Sequence, residues 1–357
     1  MINKKISNAV LMIGVYYKNN APGGMAAVIQ YYKKYFEQLN YVASWKLGNK
    51  FTKIRFFIIS FVQVLVKLIV NRKIKIVHIH SAADQSFWRK SIFIKLSKLF
   101  KKKVILHIHA SRFKDFFNES NKKQKIISNI LKADIVIVLS KSWKDWFTQI
   151  GIPANKIIIL NNIVDYPVIC NRDNSNKEIN MLFLGELGDR KGVFDVLRAL
   201  SISPKEYLNK LSFKIGGNKN EEKLKNYIRE HQLSSFVSFE GWVANKKKEE
   251  LLNWANLFIL PSYNEGLPIS ILEAMSYGCA IISTPVGGIP EVLHDHTNGI
   301  IVQPGNINDI KNAIDNFVNN PELCQNYGGK SKEFVKPFLP DNVINELNSI
   351  YKQLLNK

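Results

Sequence analysis

Two glutamates of this chain are spaced so that their carboxylates suit a binding or catalytic site. Glu265 and Glu273 lie eight positions apart in NEGLPISILEAMSYG, where Gly266, Leu267 and Pro268 lead into a helical pattern. Because two helical turns span about seven residues, a loop-borne Glu265 and a helical Glu273 can point into one cleft at different depths. The amides of Gly266 and Leu267, with the helix dipole behind them, suit a diphosphate.

The surroundings of Glu273 argue against an ordinary surface carboxylate. Its neighbours in the chain are Ile271, Leu272, Ala274 and Met275, all of them apolar. A carboxylate in such surroundings needs a partner, because burying an unpaired charge is costly.

Glycines and histidines follow the apolar runs of the N-terminal half. Gly23 and Gly24 separate the first run from a helical stretch, and such glycines let backbone amides approach a phosphate, although a plain tight turn explains them equally well. Four histidines occur as two HxH pairs near strand ends: His78, His80, His107 and His109. No carboxylate or cysteine has a matching short spacing, so no metal site is predicted; one histidine can contact a bound hydroxyl instead.

Two series of apolar, strand-length runs alternate with helical patterns. The first is AVLMIGVYY, IKIVHIH, VILHIHA, DIVIVLS and KIIIL; after a polar stretch at residues 170–178 come NMLFLGEL, LSFKIGG, VSFEGWV, NLFILPS and CAIISTP. Such runs are typical of buried parallel sheets in βαβ units. The sequence therefore predicts an α/β protein with two Rossmann-like, doubly wound domains (1–170 and 176–335) whose parallel sheets face a central cleft, where such folds bind ligands.

Composition and charge limit the partners. The 357 residues are 46% hydrophobic, and the three cysteines have no disulfide or zinc spacing, which fits a reducing compartment. Residues 1–170 carry 29 Lys and Arg against 7 Asp and Glu, whereas residues 171–357 carry 21 against 22. A basic half attracts nucleic acid, anionic lipid or a pyrophosphate-bearing substrate. The sequence has no recognisable nucleic-acid-binding element, so a nucleic-acid partner is not expected.

One segment of the basic half is strongly apolar. Residues 54–70, IRFFIISFVQVLVKLIV, are interrupted by Arg55, Gln63 and Lys67 and fall short of the ~20 residues that span a bilayer. The pattern predicts an amphipathic helix. It can pack on the sheet or lie at a lipid interface, and the sequence leaves both alternatives open.

Taken together, the segments resemble the retaining glycosyltransferases of family 4, which have the GT-B fold. The spacing of Glu265 and Glu273 carries the resemblance, and further segments follow in the family's order. These are Gly23-Gly24, His109-Ala110-Ser111, LSKSW (139–143), Asn162-Ile163-Val164-Asp165, LGELGDRKG (184–192) and Gly287-Gly288-Ile289-Pro290-Glu291.

The resemblance implies roles for individual residues. Glu273 would bind the donor ribose, Glu265 the transferred sugar, and Lys191 would neutralise the leaving diphosphate. His109 would contact the sugar near its anomeric carbon. The implied donor-binding set is Gly23, Gly24, Arg190, Lys191, Gly266, Leu267, Pro268 and Glu273, and the implied catalytic set is His109, Glu265 and Lys191.

The chain departs from the family pattern at Glu186, where an arginine is usual, so a cation expected at the diphosphate is missing there. Arg190 can substitute for it, since a guanidinium suits phosphate oxygens. Ala110 in place of glycine is a smaller departure. In this family the last helix, here within residues 336–357, crosses back onto the first domain.

The resulting expectation is a hexosyltransferase of class EC 2.4 that acts with retention. It would move a hexose-type sugar from a UDP- or GDP-sugar to a lipid-linked or saccharide acceptor in surface polysaccharide biosynthesis (capsule, O-antigen or exopolysaccharide). No cofactor or metal is expected. The enzyme would be cytoplasmic and peripherally associated with the inner face of the membrane. The alternatives are another GT-B nucleotide-sugar enzyme, such as an epimerase, and a non-catalytic basic binding protein.

Overall fold

The structure, a computed structural model, describes residues 1–18, 23–167, 178–204 and 209–356. Of the polar stretch at residues 170–178, which the sequence favours as a linker between the two domains, all but Glu178 lies outside the described residues. The chain forms two compact units. The first comprises Met1–Ile163 together with Pro340–Lys357, and the second comprises Val164–Leu339.

The first unit is built on a parallel sheet in the order β2-β1-β3-β4-β5-β6. Its strands are β1 Val10–Gly14, β2 Tyr41–Ala43, β3 Ile76–Ser81, β4 Lys103–Ile108, β5 Ile135–Val138 and β6 Ile157–Ile159. Its helices are α1 Lys4–Ala9, α2 Gly24–Tyr35, α3 Lys50–Val70, α4 Asp84–Leu99, α5 Phe113–Glu119, α6 Lys123–Leu131, α7 Lys141–Gln149 and, from the end of the chain, α14 Pro340–Leu355.

The second unit has a parallel sheet in the order β12-β11-β10-β7-β8-β9. Its strands are β7 Ile179–Glu186, β8 Leu211–Asn218, β9 Val237–Phe239, β10 Leu257–Leu260, β11 Ala280–Ser283 and β12 Gly299–Ile301. Its helices are α8 Val193–Ser201, α9 Glu221–Glu230, α10 Asn245–Trp254, α11 Ile269–Ser276, α12 Ile307–Asn319 and α13 Glu322–Phe334, with a short 3-10 turn at Asp189–Lys191.

Both sheets have the topology of doubly wound folds, so the predicted pair of Rossmann-like α/β domains is confirmed. Every residue of β1, β5 and β10 is buried, which explains their continuous apolar sequences. The chain order reverses between β1 and β3 in the first sheet and between β7 and β10 in the second. The carboxyl ends of these strands are where such sheets bind ligands.

The helix α3 corresponds to the apolar segment at residues 54–70. It begins at Lys50, where the side chain of Asn49 caps it by accepting from the amide of Thr52 at 2.8 Å, and it buries only Ser60, Val64 and Leu68. No helix among the described residues combines the length and the apolarity needed to cross a bilayer.

The C-terminal helix α14 contacts α1 and β3 of the first unit. Tyr351 on this helix is fully buried, and its hydroxyl lies 2.7 Å from Nδ1 of His78 on β3. A buried hydroxyl needs such a partner, so this hydrogen bond holds the end of the chain in register with the sheet.

The three histidines of β3 and β4 form one stacked cluster with His109, which follows β4. Nε2 of His78 lies 3.3 Å from Nδ1 of His107, and Nδ1 of His80 lies 2.8 Å from Nε2 of His109. Burial lowers the pKa of His78 and of His109 to about 3, and lowers the pKa of His80 and His107 well below the ordinary value. Mutual repulsion among the rings adds to the effect on His78, His80 and His107.

We therefore expect acid to destabilise the first unit. Below pH 6.5 the unfolded chain takes up protons that the folded cluster cannot, so the free energy of unfolding falls as the pH falls from about 6.5 toward 3. The loss should be about 1.4 kcal/mol per pH unit for each histidine that stays neutral. Urea unfolding followed by tryptophan fluorescence at a series of pH values measures it.

Two variants provide the control for this measurement. His107→Asn should flatten the pH dependence by about one proton, whereas exposed His231→Gln should leave it unchanged. A stability that stays constant between pH 7 and pH 5 would contradict the buried, neutral state of the cluster.

Candidate functional site

The loops that follow β7 and β10 meet at the switch point of the second sheet. Lys191, at the end of the 3-10 turn after β7, forms an ion pair with Oε1 of Glu265, which lies in the loop after β10. The hydroxyl of Ser262 donates to the same carboxylate oxygen at 2.7 Å. The two charged side chains are only 13% and 6% exposed, so each charge depends on the other.

Hydrogen bonds to backbone carbonyls connect these two loops. The amide of Tyr263 donates to the carbonyl of Arg190 at 2.9 Å, and the guanidinium of Arg190 donates through Nη1 to the carbonyl of Asn264 at 3.2 Å. Gly192 has a φ of +71°, and a Cβ at this position would collide with the carbonyl oxygen of Pro261. Glycine is thus required for the close approach of the loops.

A third loop, after β11, packs against the backbone of Glu265 and Gly266. The amide of Gly288 donates to the carbonyl of Gly266 at 2.6 Å. Gly287 has a φ of +60°, and a Cβ there would overlap the carbonyl oxygen of Glu265. The loop carrying Glu265, Gly266 and Leu267 into α11 is therefore fixed on both sides, and Pro268 precedes the first residue of α11.

Glu273 has the partner that its apolar sequence neighbours require, and that partner is a cation. It lies on α11 with 9% of its side chain exposed, and Oε1 is 2.5 Å from Nζ of Lys248 on α10. Lys248 was not predicted from the sequence, because it is the last of three consecutive lysines on a charged helix. Its neighbour Lys247 pairs instead with Glu240, at 3.0 Å.

The departure at Glu186 is accompanied by a cation on the neighbouring strand end. Glu186 ends β7, and its carboxylate lies 3.0 Å from Nζ of Lys219, which follows β8 and has a φ of +65°. Both side chains are partly exposed, so the pair adds little to stability. It nevertheless places Lys219 beside Glu186, the position at which the family pattern has an arginine.

The remaining predicted residues belong to the first unit. Gly23 has a φ of +114° and precedes α2, whose first residue is Gly24. His109 follows β4, and its low pKa keeps the imidazole uncharged at neutral pH. A neutral imidazole can donate and accept a hydrogen bond, but it carries no charge for an anionic ligand.

Three buried histidines lie close enough to be considered as metal ligands. One ring nitrogen each from His78, His80 and His107 falls within 4.8 Å of the others. However, the rings of His78 and His80 stack 4.4 Å apart with planes 17° apart, so their lone pairs run side by side rather than converge. Both nitrogens of His78 also have partners already. This geometry favours a hydrogen-bonded stack.

The second unit thus offers two largely buried lysine–glutamate pairs at the carboxyl edge of one sheet. Such pairs can exchange partners with a ligand that carries both phosphate and hydroxyl groups. The lysines then neutralise the anion, and the carboxylates accept from the hydroxyls. The structure brings Lys191, Arg190, Glu265 and the Gly266–Pro268 loop together.

Several relatives of the chain are named as glycosyltransferases, and one is named for the cps region in which it occurs. An uncharacterized glycosyltransferase of Methanocaldococcus jannaschii is 30% identical over 74% of this chain and 71% of that protein. A 41.2 kDa protein from the cps region of Klebsiella pneumoniae is 25% identical over 81% and 82%. An amylovoran biosynthesis glycosyltransferase of Erwinia amylovora is 25% identical over 48% and 44%.

Solved structures share the fold at low identity. Sucrose-phosphate synthase from Thermosynechococcus elongatus superposes with a TM-score of 0.78 at 17% identity, covering 97% of this chain and 99% of that one. The Anabaena protein HepE, in complex with UDP and glucose, superposes with a TM-score of 0.73 at 14% identity, covering 98% and 99%.

Two family profiles match most of the chain. The profile "Glycosyltransferase Family 4" matches residues 30–166, and the profile "Glycosyl transferases group 1" matches residues 171–334. Together with the relative that is 30% identical, these matches cover both units. The chain therefore belongs to the group 1 glycosyltransferases of the family 4 type and has their GT-B fold of two Rossmann-like domains.

Proposed function

We propose that this glycosyltransferase moves a hexose-type sugar from a UDP- or GDP-sugar to its acceptor with retention of anomeric configuration. The observation that carries the proposal is the buried contact of Lys191 with Glu265 at the switch point of the second sheet. HepE, which shares the fold, is described in complex with UDP and with UDP-glucose, and this supports a nucleotide-sugar donor.

In the proposed mechanism, donor binding exchanges the partners of Lys191 and Glu265. The diphosphate takes the ammonium group of Lys191, and hydroxyls of the transferred sugar take the carboxylate of Glu265. As the bond to the anomeric carbon breaks, negative charge grows on the diphosphate, and Lys191 stabilises it. Arg190 and the amides of Gly24, Gly266 and Leu267 assist, so the proposal requires neither a metal nor another cofactor.

Glu273 is proposed to bind the donor ribose together with Lys248. A ribose hydroxyl can donate to the carboxylate of Glu273 while it accepts from the ammonium group of Lys248. The ion pair at 2.5 Å holds the carboxylate and the ammonium group side by side before the nucleotide arrives. Lys248 would thereby join the donor-binding set implied by the sequence.

His109 is proposed to contact the transferred sugar near its anomeric carbon, with a neutral imidazole as hydrogen-bonding group. The acceptor hydroxyl attacks from the face that the diphosphate leaves, which retains the configuration. Catalysis then rests on position and charge rather than on a covalent intermediate.

We further propose that the acceptor is a lipid-linked saccharide in capsule, O-antigen or exopolysaccharide biosynthesis. The relatives from a cps region and from amylovoran biosynthesis support this choice. The enzyme would work in the cytoplasm, at the inner face of the membrane, where its basic half meets anionic lipid. Positions 1–170 contain 29 basic and 7 acidic residues, and this excess of positive charge supports that orientation.

The stereochemical outcome tests the proposed reaction. We expect the glycosidic bond of the product to have the same anomeric configuration as the donor, because leaving group and acceptor use one face. The one-bond carbon–proton coupling of the anomeric centre, measured by NMR on the purified product, distinguishes the two outcomes. Inversion would contradict the retaining mechanism, and turnover of a nucleotide sugar without any acceptor would favour an epimerase.

Nucleotide binding tests the ribose site. We expect Glu273→Gln and Lys248→Met each to weaken binding of UDP or GDP by about tenfold, since each change removes a hydrogen bond to a charged group. Both variants should also lose the preference of the wild type for UDP over 2′-deoxy-UDP, or for GDP over its deoxy form. Calorimetric titration measures these affinities.

Matched control variants for this titration lie on the same helix, α10. Lys247→Met removes a lysine that pairs with Glu240, and Glu250→Gln neutralises an exposed carboxylate. Both should bind the nucleotide as the wild type does. If Lys247→Met weakened binding as much as Lys248→Met, the effect would be one of general charge, and the assigned role of Lys248 would be wrong.

A further inference from the structure

The helix α3 of the first unit presents a continuous apolar face to solvent. Six large apolar side chains recur every three or four residues and form one stripe along the helix, and two more adjoin it. All eight are between 44% and 74% exposed: Phe51, Ile54, Ile58, Ile59, Val62, Val66, Ile69 and Val70. Over 21 residues the stripe is about 30 Å long. Contiguous exposed apolar surface of this extent marks an interaction site.

The opposite face of α3 is fixed to the body of the unit. Ser60, Val64 and Leu68 are buried there, four residues apart. Phe57 and Phe61 flank them and contact the ring of Phe93 on α4, with centroids 5.7 and 6.4 Å away. The exposed stripe is therefore not a displaced core face, because the helix already has its core contacts.

The segment of the chain that contains the stripe carries only basic charges. Between Glu37 and Asp84 the chain has no Asp or Glu. The same stretch contains eight basic residues: Lys46, Lys50, Lys53, Arg55, Lys67, Arg72, Lys73 and Lys75. An apolar stripe inside a basic surface is typical of helices that lie in the interface of an anionic membrane.

We propose that α3 docks this protein on an anionic lipid surface, with its axis in the membrane plane and its apolar stripe among the acyl chains. A second copy of the chain is the other occupant that the stripe could accept. Symmetric pairing through α3 would bring the basic residues of the two copies together. Repulsion between these charges disfavours such a dimer. Anionic headgroups complement the same charges, and the long stems of lysines at the helix edges allow them to reach the headgroups.

A groove leads from the docked helix toward the switch point of the first sheet. One part, of about 410 Å³, is lined by Val62, Val66 and Tyr41. An adjoining part of about 360 Å³ shares Tyr41 and reaches Tyr16 and Tyr17, which follow β1. If the acceptor is lipid-linked, as the proposed function has it, this groove gives it a path from the bilayer to the carboxyl end of β1.

Vesicle binding tests the proposal. Flotation with phosphatidylcholine vesicles, with and without phosphatidylglycerol, should show binding of the wild-type chain to the anionic vesicles at low salt. The double variant Ile58→Glu/Val62→Glu should bind them at least about tenfold more weakly, because two side chains lose their burial in lipid. The control Leu99→Glu/Ile202→Glu introduces the same charge at exposed apolar positions outside α3 and should bind nearly as the wild type does.

A second measurement does not depend on the folding of the charged variant. A polarity-sensitive fluorophore attached to Val62→Cys should shift to the blue when anionic vesicles are added, whereas one attached to Leu99→Cys should not. No binding by the wild type, equal losses in both double variants, or a silent fluorophore at position 62 would overturn the proposal. It would also be overturned if the α3 variant merely converted a dimer to a monomer without changing vesicle binding.

The assay is independent of the catalytic proposal because it uses no nucleotide. A chain that binds vesicles but neither UDP nor GDP would contradict the proposed function and leave docking intact. A chain that binds a nucleotide but no vesicles would contradict docking and the proposed location at the membrane, and would leave the proposed transfer reaction intact.

Discussion

The buried ion pair of Lys191 and Glu265 is the constraint on which the site of the second unit depends. The two side chains are 13% and 6% exposed and pair with each other where the loops after β7 and β10 meet. That approach requires glycine at position 192, where a side chain would strike Pro261. It also requires glycine at position 287, on which the backbone of Glu265 rests. A few contacts thus fix an anion-binding cation and a hydroxyl-binding carboxylate before any ligand arrives.

The first unit differs from the second in which polar side chains it buries and which apolar side chains it exposes. Its sheet buries three histidines, His78, His80 and His107, and His78 forms a hydrogen bond with Tyr351 of the last helix. The same unit leaves the apolar stripe of α3 uncovered. Burying polar rings inside a protein and exposing apolar side chains outside it both cost free energy. Such features occur where residues form a functional site or an interaction surface.

The sequence predicted those features that periodicity and short-range spacing encode. Continuous apolar runs identified the two parallel sheets, and Glu273 among apolar neighbours implied that its carboxylate has a partner. The identity of that partner was out of reach, because Lys246, Lys247 and Lys248 are equivalent in sequence and only the packing of α10 selects one of them. The open face of α3 was equally hidden, since its apolar residues occupy both faces and the pattern fits packing on the sheet as well as lipid contact. The pairing of Glu186 with Lys219 joins the ends of two strands that sequence spacing cannot align.

The most direct test of this account is the steady-state kinetics of Lys191→Met, compared with Lys223→Met, which removes an exposed lysine of the same unit. The account predicts that Lys191→Met lowers kcat by about a hundredfold or more, because the charge on the departing diphosphate loses its cation. Lys191→Arg should restore part of that loss, and Lys223→Met should leave kcat unchanged. If Lys191→Met turned over the nucleotide sugar at the wild-type rate, Lys191 and its contact with Glu265 could not be the centre of the site.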